Sequence, residues 1–264
     1  MRVLITGSAD GLGQMAARLL VANGHRVVLH GRNAARAQQA LDAVPGAETA
    51  VSGDLSSLLE MADVAGQVNR LGRFDSIIHN AAVGYRERQR IETADGLSHV
   101  FAINTLAPYV LTALIDAPQR LVYLSSGLHR DGDATLHDLE WRTRPWNGMA
   151  AYADSKLHDV VLAFAVARRW PHVLSNALEP GWVATKMGGP GAPDDLDAAP
   201  RTQVWLATGH DAAACVSGQY FYHLKPRHTH PAADDPDVQD RLLDECERLS
   251  GIALPAVSLL RRRA

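Results

Sequence analysis

Residues 2–24, RVLITGSADGLGQMAARLLVANG, decide the fold of this chain. The run RVLIT is short, apolar and rich in β-branched residues, which is typical of a buried strand. LGQMAARLLVANG has the apolar spacing of an amphipathic helix that ends at Gly24. Three glycines, Gly7, Gly11 and Gly13, lie in the turn between strand and helix. A strand that passes through such a turn into a helix predicts the first half of a parallel β-α-β unit.

The glycine turn itself indicates nucleotide binding. Glycines let the backbone approach a pyrophosphate, and the helix that follows offers unpaired N–H groups and the positive end of its dipole. The spacing is GxxxGxG, not the GxGxxG of the usual dinucleotide fingerprint. Glycines in a tight turn also occur for packing alone, but a position at the first turn of a β-α-β chain favours phosphate binding.

The same alternation of strands and helices continues along the chain. The strand-like runs are HRVVLH, ETAVS, FDSIIHN, RLVYLSS, HVLSNALEP and GQYFYH, and helical patterns separate most of them. This predicts one α/β domain over residues 1–264, a doubly wound, Rossmann-type parallel sheet of about seven strands with helices on both faces, and the glycine turn makes it a candidate NAD(P)-binding domain. The irregular segments 127–149 and 187–201 are predicted to cover a substrate at the carboxyl ends of the strands, with a disordered insertion as the alternative.

Composition excludes several classes of protein. The formal net charge is −3, which argues against nucleic acid or an anionic membrane as a partner, and the basic LLRRRA at 259–264 is short enough to be a solvated tail. Two cysteines, Cys215 and Cys246, are too few for a disulfide framework. Neither a signal peptide nor an apolar run of bilayer length is evident. We therefore expect a soluble, cytoplasmic protein.

The heptapeptide AYADSKL, residues 151–157, carries the candidate chemistry. On a helix, Tyr152 and Lys156 lie on one face about one turn apart. A nearby ammonium favours the phenolate and so lowers a tyrosine pKa toward working pH. Taken alone, the pair fits a surface helix whose tyrosine ring packs on a lysine stem better than it fits a catalytic pair.

The end of the second predicted strand indicates which dinucleotide is preferred. An acidic residue at this place commonly accepts hydrogen bonds from the ribose hydroxyls of NAD, whereas an arginine nearby accommodates the 2′-phosphate of NADP. Here Gly31 is followed by Arg32, which favours NADP, with NAD as the alternative. Asp10 in the glycine turn argues against a phosphate unless its carboxylate turns away.

Seven motifs together resemble the short-chain dehydrogenase/reductase family, in the family's order and over roughly residues 1–190. They are TGSADGLG at 6–13, Asp54-Leu55, HNAA at 79–82, Asn104 in FAINTLAPY, Ser125-Ser126, Tyr152-x-x-x-Lys156 and PGWVAT at 180–185. Each has a local alternative: the serines could cap a helix, Asn104 could be a satisfied core amide and Asp54 could be an N-cap. None of these alternatives explains the joint order.

The resemblance implies that Tyr152 is the general acid/base, that Lys156 lowers the pKa of Tyr152 and holds the nicotinamide ribose, and that Ser126 hydrogen-bonds the substrate oxygen. Asn104 would help to hold a water that links Lys156 to solvent. Together with Arg32, the predicted cofactor contacts are Gly7, Ser8, Gly11, Leu12, Gly13, Asp54, Leu55, Asn80, Ala81, Tyr152, Lys156, Pro180, Gly181, Val183 and Thr185. A homodimer or homotetramer is also implied, paired through the long helices that hold Asn104 and Tyr152.

The chain departs from the family's compact members in its second half. Ala82 stands where a glycine is usual, and 25 residues separate Ser126 from Tyr152. The intervening segment and the C-terminal DVQDRLLDECERLSGI resemble the subgroup related to retinol dehydrogenases, which implies lipophilic carbonyls or alcohols. Trp141 and Trp146 in the first irregular segment are predicted to line the substrate pocket, the alternative being that both pack beneath the insertion.

The sequence thus predicts an NADP-dependent oxidoreductase that interconverts a carbonyl and an alcohol and acts on a neutral, largely apolar substrate. The runner-up is a non-catalytic nucleotide-binding regulator or scaffold of the same fold. A sugar-nucleotide epimerase is disfavoured by the short C-terminal part and by the GxxxGxG spacing. We predict no metal, because the HLKPRHTH histidines lack a cysteine or carboxylate partner at ligand spacing.

Overall fold

Eight strands form one sheet in the computed structural model, which describes residues 1–256; LLRRRA lies outside the described residues. The strands are β1 Arg2–Ile5, β2 Arg26–Gly31, β3 Thr49–Ser52, β4 Ser76–His79, β5 Arg120–Leu124, β6 Leu174–Glu179, β7 Tyr220–Tyr222 and β8 Lys225–Pro226. Their order across the sheet is β3-β2-β1-β4-β5-β6-β7-β8. The first seven pair in parallel, as the sequence predicts, and the two-residue β8 adds an antiparallel edge that the pattern did not indicate.

Helices cover both faces of this sheet. They are α1 Gly11–Ala22, α2 Ala34–Ala43, α3 Leu58–Arg70, α4 His99–Phe101, α5 Ala107–Leu114, α6 Gly148–Arg169, α7 Arg201–Thr208 and α8 Pro236–Ser250. One apolar core lies between the sheet and α3, α5, α6 and α8, and a second lies between the sheet and α1, α2 and α7. Among the helices of residues 1–256, none is both long enough and apolar enough to cross a membrane. The doubly wound architecture predicted from the sequence is confirmed.

The strand order reverses between β1 and β4, which are neighbours in the sheet although β2 and β3 lie between them in the sequence. From β1 the chain winds outward to β2 and β3, and from β4 it winds the other way. In open parallel sheets this reversal opens a crevice at the carboxyl ends of the strands, where ligands bind. The loops after β1, β4, β5 and β6 therefore meet around one site.

Helix α6, which contains AYADSKL, is buried over residues 151–166. The side chain of Asn147 begins it by accepting hydrogen bonds from the backbone N–H groups of Met149 and Ala150. The sheet lies on one side, and α8 and the 127–149 segment lie against the others. The interpretation of Tyr152 and Lys156 as a surface pair is therefore wrong, because both side chains are enclosed within the fold.

Candidate active site

An open cleft of about 1360 Å³ follows the carboxyl ends of the strands. One end is bounded by the glycine turn and by the end of β2, and the other by the loops after β5 and β6 and by Tyr222 of β7. The side chains of Ser126, Tyr152 and Lys156 lie on its wall between these two ends. The cleft thus extends from the glycine turn, past Ser126, Tyr152 and Lys156, to the loops after β5 and β6.

Tyr152 and Lys156 meet as the helical spacing predicts. The Lys156 Nζ lies 5.7 Å from the centroid of the Tyr152 ring. This ammonium is only 3 % exposed, and it donates to the Leu124 carbonyl at 2.8 Å and to Asp159 Oδ2 at 2.7 Å. The end of β5 and the next turn of α6 therefore hold it in place beside the phenol.

The pKa of Tyr152 lies above its usual value in this environment. Burial raises it, the ammonium of Lys156 and a hydrogen bond with Ser126 lower it, and the carboxylate of Asp159 raises it. The Lys156 contribution has the predicted sign, but burial outweighs it. Tyr152 is therefore a neutral phenol at pH 7, which is the state that can donate a proton.

The two serines after β5 have different surroundings. Ser125 is buried and its hydroxyl donates to the Lys156 carbonyl at 2.7 Å, which ties β5 to α6. Ser126 caps the 3-10 helix Gly127–Asp131, and its Oγ accepts from the Leu128 N–H at a long 3.3 Å. Because Ser126 is less buried and lies beside Tyr152, its hydroxyl is the better placed to bind a substrate oxygen.

Asn104 lies in a π-helical segment, Ala102–Leu106, that joins α4 to α5. Its side chain donates to the Val83 carbonyl and to the Ser155 hydroxyl and accepts from the Val83 N–H, all within 3.0 Å. This fixes the loop after β4 against α6, beside Tyr152. Asn104 does not line the cleft, and its predicted role in holding a water stays a prediction.

The glycine turn is shaped by contacts that admit no side chain. A Cβ on Gly7 would lie 2.7 Å from the Ala81 Cα, and one on Gly13 would lie 2.5 Å from the Gly7 oxygen. Gly7 and Gly11 also have φ of +62° and +54°, in the left-handed region that favours glycine. The turn is therefore a close-packed backbone cradle open to the cleft, and its shape fits a pyrophosphate at a helix N-terminus.

Not every predicted contact of the turn faces the cleft. Ser8 is fully buried; its hydroxyl donates to the Ile5 carbonyl at 3.1 Å and accepts from the His30 N–H at 2.8 Å. Gly13 is buried inside the turn. The residues of this region on the cleft wall are Gly7, Ala9, Asp10, Gly11 and Leu12. Ser8 and Gly13 thus build the turn without lining the cleft.

Two side chains hold the glycine turn from behind, and the sequence indicated only one of them. Asn80 donates to the carbonyls of Thr6 and Gly7, each at 3.0 Å. His30, which the motif analysis overlooked, accepts from the Gly7 N–H at 3.0 Å and donates to the Gly53 carbonyl at 3.0 Å. Burial lowers the pKa of His30 to about 4, so the imidazole stays neutral and can do both.

The end of the cleft beside β2, which is the predicted nucleotide end, contains Gly31, Arg32, Asp54 and Leu55. A Cβ on Gly31 would lie 2.4 Å from the backbone nitrogen of Ala37 in α2, so no carboxylate side chain can stand at this position. Arg32 follows directly and is exposed to the cleft. The backbone of α2 therefore excludes the acidic residue that NAD-binding proteins place here.

Asp10, which argued against a bound phosphate, is neutralised by two cations. Its Oδ2 lies 2.7 Å from an Arg36 guanidinium nitrogen and 2.9 Å from the Lys186 Nζ. Burial raises the pKa of Asp10, but the two cations together lower it by more than burial raises it. The carboxylate is therefore ionised and paired. The net charge of this corner, with Arg32 included, is positive.

The loop after β6 passes over the Tyr152 side of the cleft. Pro180, Gly181, Val183 and Thr185, which are the predicted cofactor contacts of this loop, all line the cleft. Met187, which the sequence did not single out, brings its Sδ to 3.8 Å from the Tyr152 hydroxyl. Its backbone carbonyl accepts from the Tyr85 hydroxyl at 3.3 Å. Tyr85 and Met187 thus form the cover above the candidate catalytic hydroxyl.

The predicted role of Trp141 and Trp146 in the pocket is wrong. Their rings pack on each other at 5.7 Å in a small cluster with Val100 and Ala151, away from the cleft. Arg144 stacks on Trp141 at 3.6 Å and pairs with Asp154, which closes the insertion onto α6. The cleft receives Trp182 instead, whose side chain is 56 % exposed.

The remaining walls near the substrate end are of mixed polarity. Glu179 lies 3.4 Å from Arg130, so its carboxylate is paired, and Arg227 stacks on the ring of Tyr222 at 4.4 Å. Within residues 1–256, no group of three or more histidine, cysteine or acidic side chains is arranged to hold a metal.

Comparisons of the sequence and of the structure with known proteins both find similar proteins. A family model described as short chain dehydrogenase matches residues 1–120. An uncharacterized oxidoreductase of Emericella nidulans is 46 % identical over 97 % of this chain and 99 % of its own length. Retinol dehydrogenase 13 of Homo sapiens is 32 % identical over 97 % of this chain and 86 % of its own. A crystal structure of an uncharacterized protein from Mycobacterium paratuberculosis superposes with a TM-score of 0.83 at 25 % identity, covering 96 % of this chain and 94 % of that one.

Proposed function

We propose a specific reaction for this chain, which belongs to the short-chain dehydrogenase/reductase family, has retinol dehydrogenases among its relatives and is an oxidoreductase of that family. It reduces a neutral, largely apolar aldehyde or ketone with NADPH, or oxidises the matching alcohol with NADP. The observation that carries the chemistry is the buried Tyr152 phenol, flanked by Ser126 and by the Lys156 ammonium on one cleft wall. A nicotinamide dinucleotide would supply the hydride when bound.

Ser126, Tyr152 and Lys156 each have a different role in stabilising and protonating the substrate oxygen. When a carbonyl carbon accepts hydride, negative charge develops on its oxygen and must be stabilised and protonated. The Ser126 hydroxyl donates a hydrogen bond to this oxygen, and the neutral Tyr152 phenol donates its proton. The Lys156 ammonium stabilises the phenolate that remains. In the oxidative direction the phenolate removes the proton from the alcohol.

The residues at the predicted nucleotide end of the cleft support a preference for NADP. Gly31 cannot be replaced by an acidic residue without a collision with α2, and Arg32 faces the space beside it. Arg36 and Lys186 neutralise the one carboxylate in the glycine turn. A 2′-phosphate would therefore meet a cation, whereas the hydroxyls of a 2′-unmodified ribose would find no carboxylate at position 31.

The proposal of a neutral, largely apolar substrate is supported by the residues that line the other end. Tyr85, Met149, Met187 and Trp182 supply apolar area. Glu179 and Arg130 form an ion pair, so their charges largely cancel. Arg227 is an exposed cation on this wall, and its guanidinium stacks on the ring of Tyr222. An anionic substrate would gain little from such surroundings.

The segments 127–149 and 187–201 each contribute to the substrate end, and we retain both as the proposed covers of the bound substrate. A cytoplasmic location and a homodimer or homotetramer also remain proposals. The long helices are already buried within the single chain, since α8 lies on α6 and every residue of Ala107–Ala113 in α5 is buried. An oligomer of this chain would therefore require a different surface.

A panel of carbonyl compounds tests the function. We expect NADPH to be consumed with aliphatic and aromatic aldehydes and ketones, at a higher kcat/KM than with charged sugars or acyl-CoA esters. A clear preference for the charged compounds would rule out the proposed substrate class. The complete lack of turnover with every compound, with NADPH bound normally, would favour the alternative of a non-catalytic nucleotide-binding protein.

A further inference from the structure

The ammonium of Lys156 has an anionic partner of its own. Asp159, one turn further along α6, places its Oδ2 at 2.7 Å from the Lys156 Nζ. Both side chains are only 3 % exposed. The pairing is thus shielded from solvent and lies directly behind the Tyr152–Lys156 pair, where an attraction between charges is far stronger than at the surface.

The charges of this group have opposing effects on each other. Burial lowers the pKa of Lys156, but Asp159 and Tyr152 raise it more, so the lysine is a cation. Burial raises the pKa of Asp159 above its usual value, and Lys156 opposes this. For Tyr152, the two neighbours act in opposite directions: Lys156 lowers its pKa and Asp159 raises it.

Among the described residues, the other elements packed against Tyr152, Lys156 and Asp159 do not contribute a second anion. Tyr85, from the loop after β4, faces Tyr152 edge-on at 5.6 Å and is a phenol. On the β5 side Asp159 faces Tyr123, whose pKa is raised by burial, and whose hydroxyl lies 2.8 Å from that of Thr112. Behind them His79 is neutral, because burial lowers its pKa to about 3.

We propose that Asp159 is a positioning residue that anchors the Lys156 ammonium and cancels part of its charge, and thereby sets the pH range over which Tyr152 exchanges its proton. The proposal deepens the proposed function, since it concerns the proton-transfer step of that reaction. Asp159 does not line the cleft and acts only through Lys156. Without the charge of Asp159, the Leu124 carbonyl still accepts from the ammonium and Tyr152 still raises the pKa of Lys156, so the proposal expects a cation whose full charge acts on Tyr152.

Asp159→Asn is the informative variant, because an amide keeps the shape and a hydrogen-bond acceptor while it removes the charge. Tyr152 should then ionise at a lower pH, by about one pH unit for one screened buried charge. In the reductive direction the rate requires the phenol, so the fall of kcat/KM with rising pH should move to lower pH. In the oxidative direction the rise of the rate with pH should move the same way.

The ionisation of Tyr152 can also be measured without cofactor or turnover. An ultraviolet difference titration of each protein against its Tyr152→Phe counterpart isolates this phenol from the other five tyrosines. Asp159→Glu, which retains the charge, should keep the wild-type midpoint. The matched control is Asp154→Asn, which removes a buried carboxylate on the same helix that pairs with Arg144 instead; it should lower thermal stability and leave the midpoint unchanged.

A midpoint that stays in place or rises in Asp159→Asn overturns the proposal. If that variant does not fold, the smaller Asp159→Ala is titrated in the same way, and failure of both to fold would make Asp159 a structural residue and overturn it too. The titration needs no substrate. If the wild type shows no turnover, the proposed function fails, but the titration still tests the role of Asp159. The two failures can therefore be distinguished.

Discussion

The two ends of the cleft are built in different ways. At the nucleotide end, backbone meets backbone: Gly7 lies against Ala81, and Gly31 lies against Ala37. At the substrate end, side chains from loops make the wall, such as Met187 under Tyr85. The nucleotide end lies within residues 1–120, which match the family model, whereas the substrate end comes mostly from residues beyond them.

This difference shows which part of the site can vary. At Gly7 and Gly31 an added Cβ would lie 2.7 Å and 2.4 Å from neighbouring backbone atoms, so neither glycine can be replaced unless the backbone moves. A wall formed by side chains can change residue by residue while the sheet stays intact. We expect nucleotide binding and substrate choice to be separable by mutation.

The largest effect is expected at the junction of the two ends. Tyr152→Phe removes the proton but keeps the ring, so single-turnover hydride transfer should fall about 100- to 10,000-fold. Nucleotide affinity, measured separately, should remain at the wild-type value. Tyr85→Phe is the matched control, since it removes a hydroxyl that bonds only the Met187 carbonyl. Near-wild-type transfer in Tyr152→Phe would refute the assignment of the general acid.

The next effect concerns the nucleotide end alone. In Gly13→Ala, the new methyl group would lie 2.4 Å from the Asn80 Nδ2 and 2.5 Å from the Gly7 oxygen. Overpacking of this kind costs about 1–3 kcal/mol, and the turn has to shift away from the shape that fits NADPH to relieve it. Restoring that shape on binding would cost a similar free energy, so NADPH affinity should fall by roughly one to two orders of magnitude. Isothermal titration calorimetry measures it directly.

Gly66 of α3 provides the control for that variant. A methyl group there would contact only the flexible end of Arg70, at 3.4 Å. Gly66→Ala should therefore raise the free energy of unfolding by about 0.5–1 kcal/mol and leave NADPH affinity unchanged. If Gly13→Ala binds NADPH as tightly as this control, the glycine turn is not the pyrophosphate site.

A smaller effect is expected for the choice between the two dinucleotides. Arg32→Asp replaces a phosphate partner by a repelling charge, and the loss of one charged hydrogen bond of about 1.5 kcal/mol corresponds to roughly tenfold weaker NADPH binding. NADH affinity should be unchanged or improved. A wild-type protein that binds NADH more tightly than NADPH would contradict our interpretation of this end.

The smallest effect should appear at the substrate end. Trp182→Ala removes apolar area from the cleft wall, so KM for an aromatic ketone should rise a fewfold, with NADPH affinity unchanged. Trp141→Phe should instead lower the melting temperature and leave KM unchanged, because this ring packs beneath the insertion. If Trp141→Phe raised KM and Trp182→Ala did not, Trp141 rather than Trp182 would be the pocket residue.

The sequence by itself determined the fold and identified the candidate catalytic residues. Period-two and period-3.6 patterns are local, so RVLIT, HRVVLH and the helices after them could be identified without any contact between them. The glycine turn and the Tyr152–Lys156 spacing are also local, since one turn of helix brings the two side chains together. Ser126 and Asn104 could be placed only through their resemblance to the family's motifs.

The tertiary structure decided what these residues contact. Whether AYADSKL is exposed or enclosed depends on α8 and the insertion, which are distant in the sequence. His30 holds Gly7 across 23 residues, and Asp10 is neutralised by Lys186 across 176. Trp182 rather than Trp141 reaches the cleft because the insertion folds back onto α6. Long-range packing of this kind leaves no periodic signal, since it depends on which surfaces the chain brings together and not on the spacing within one segment.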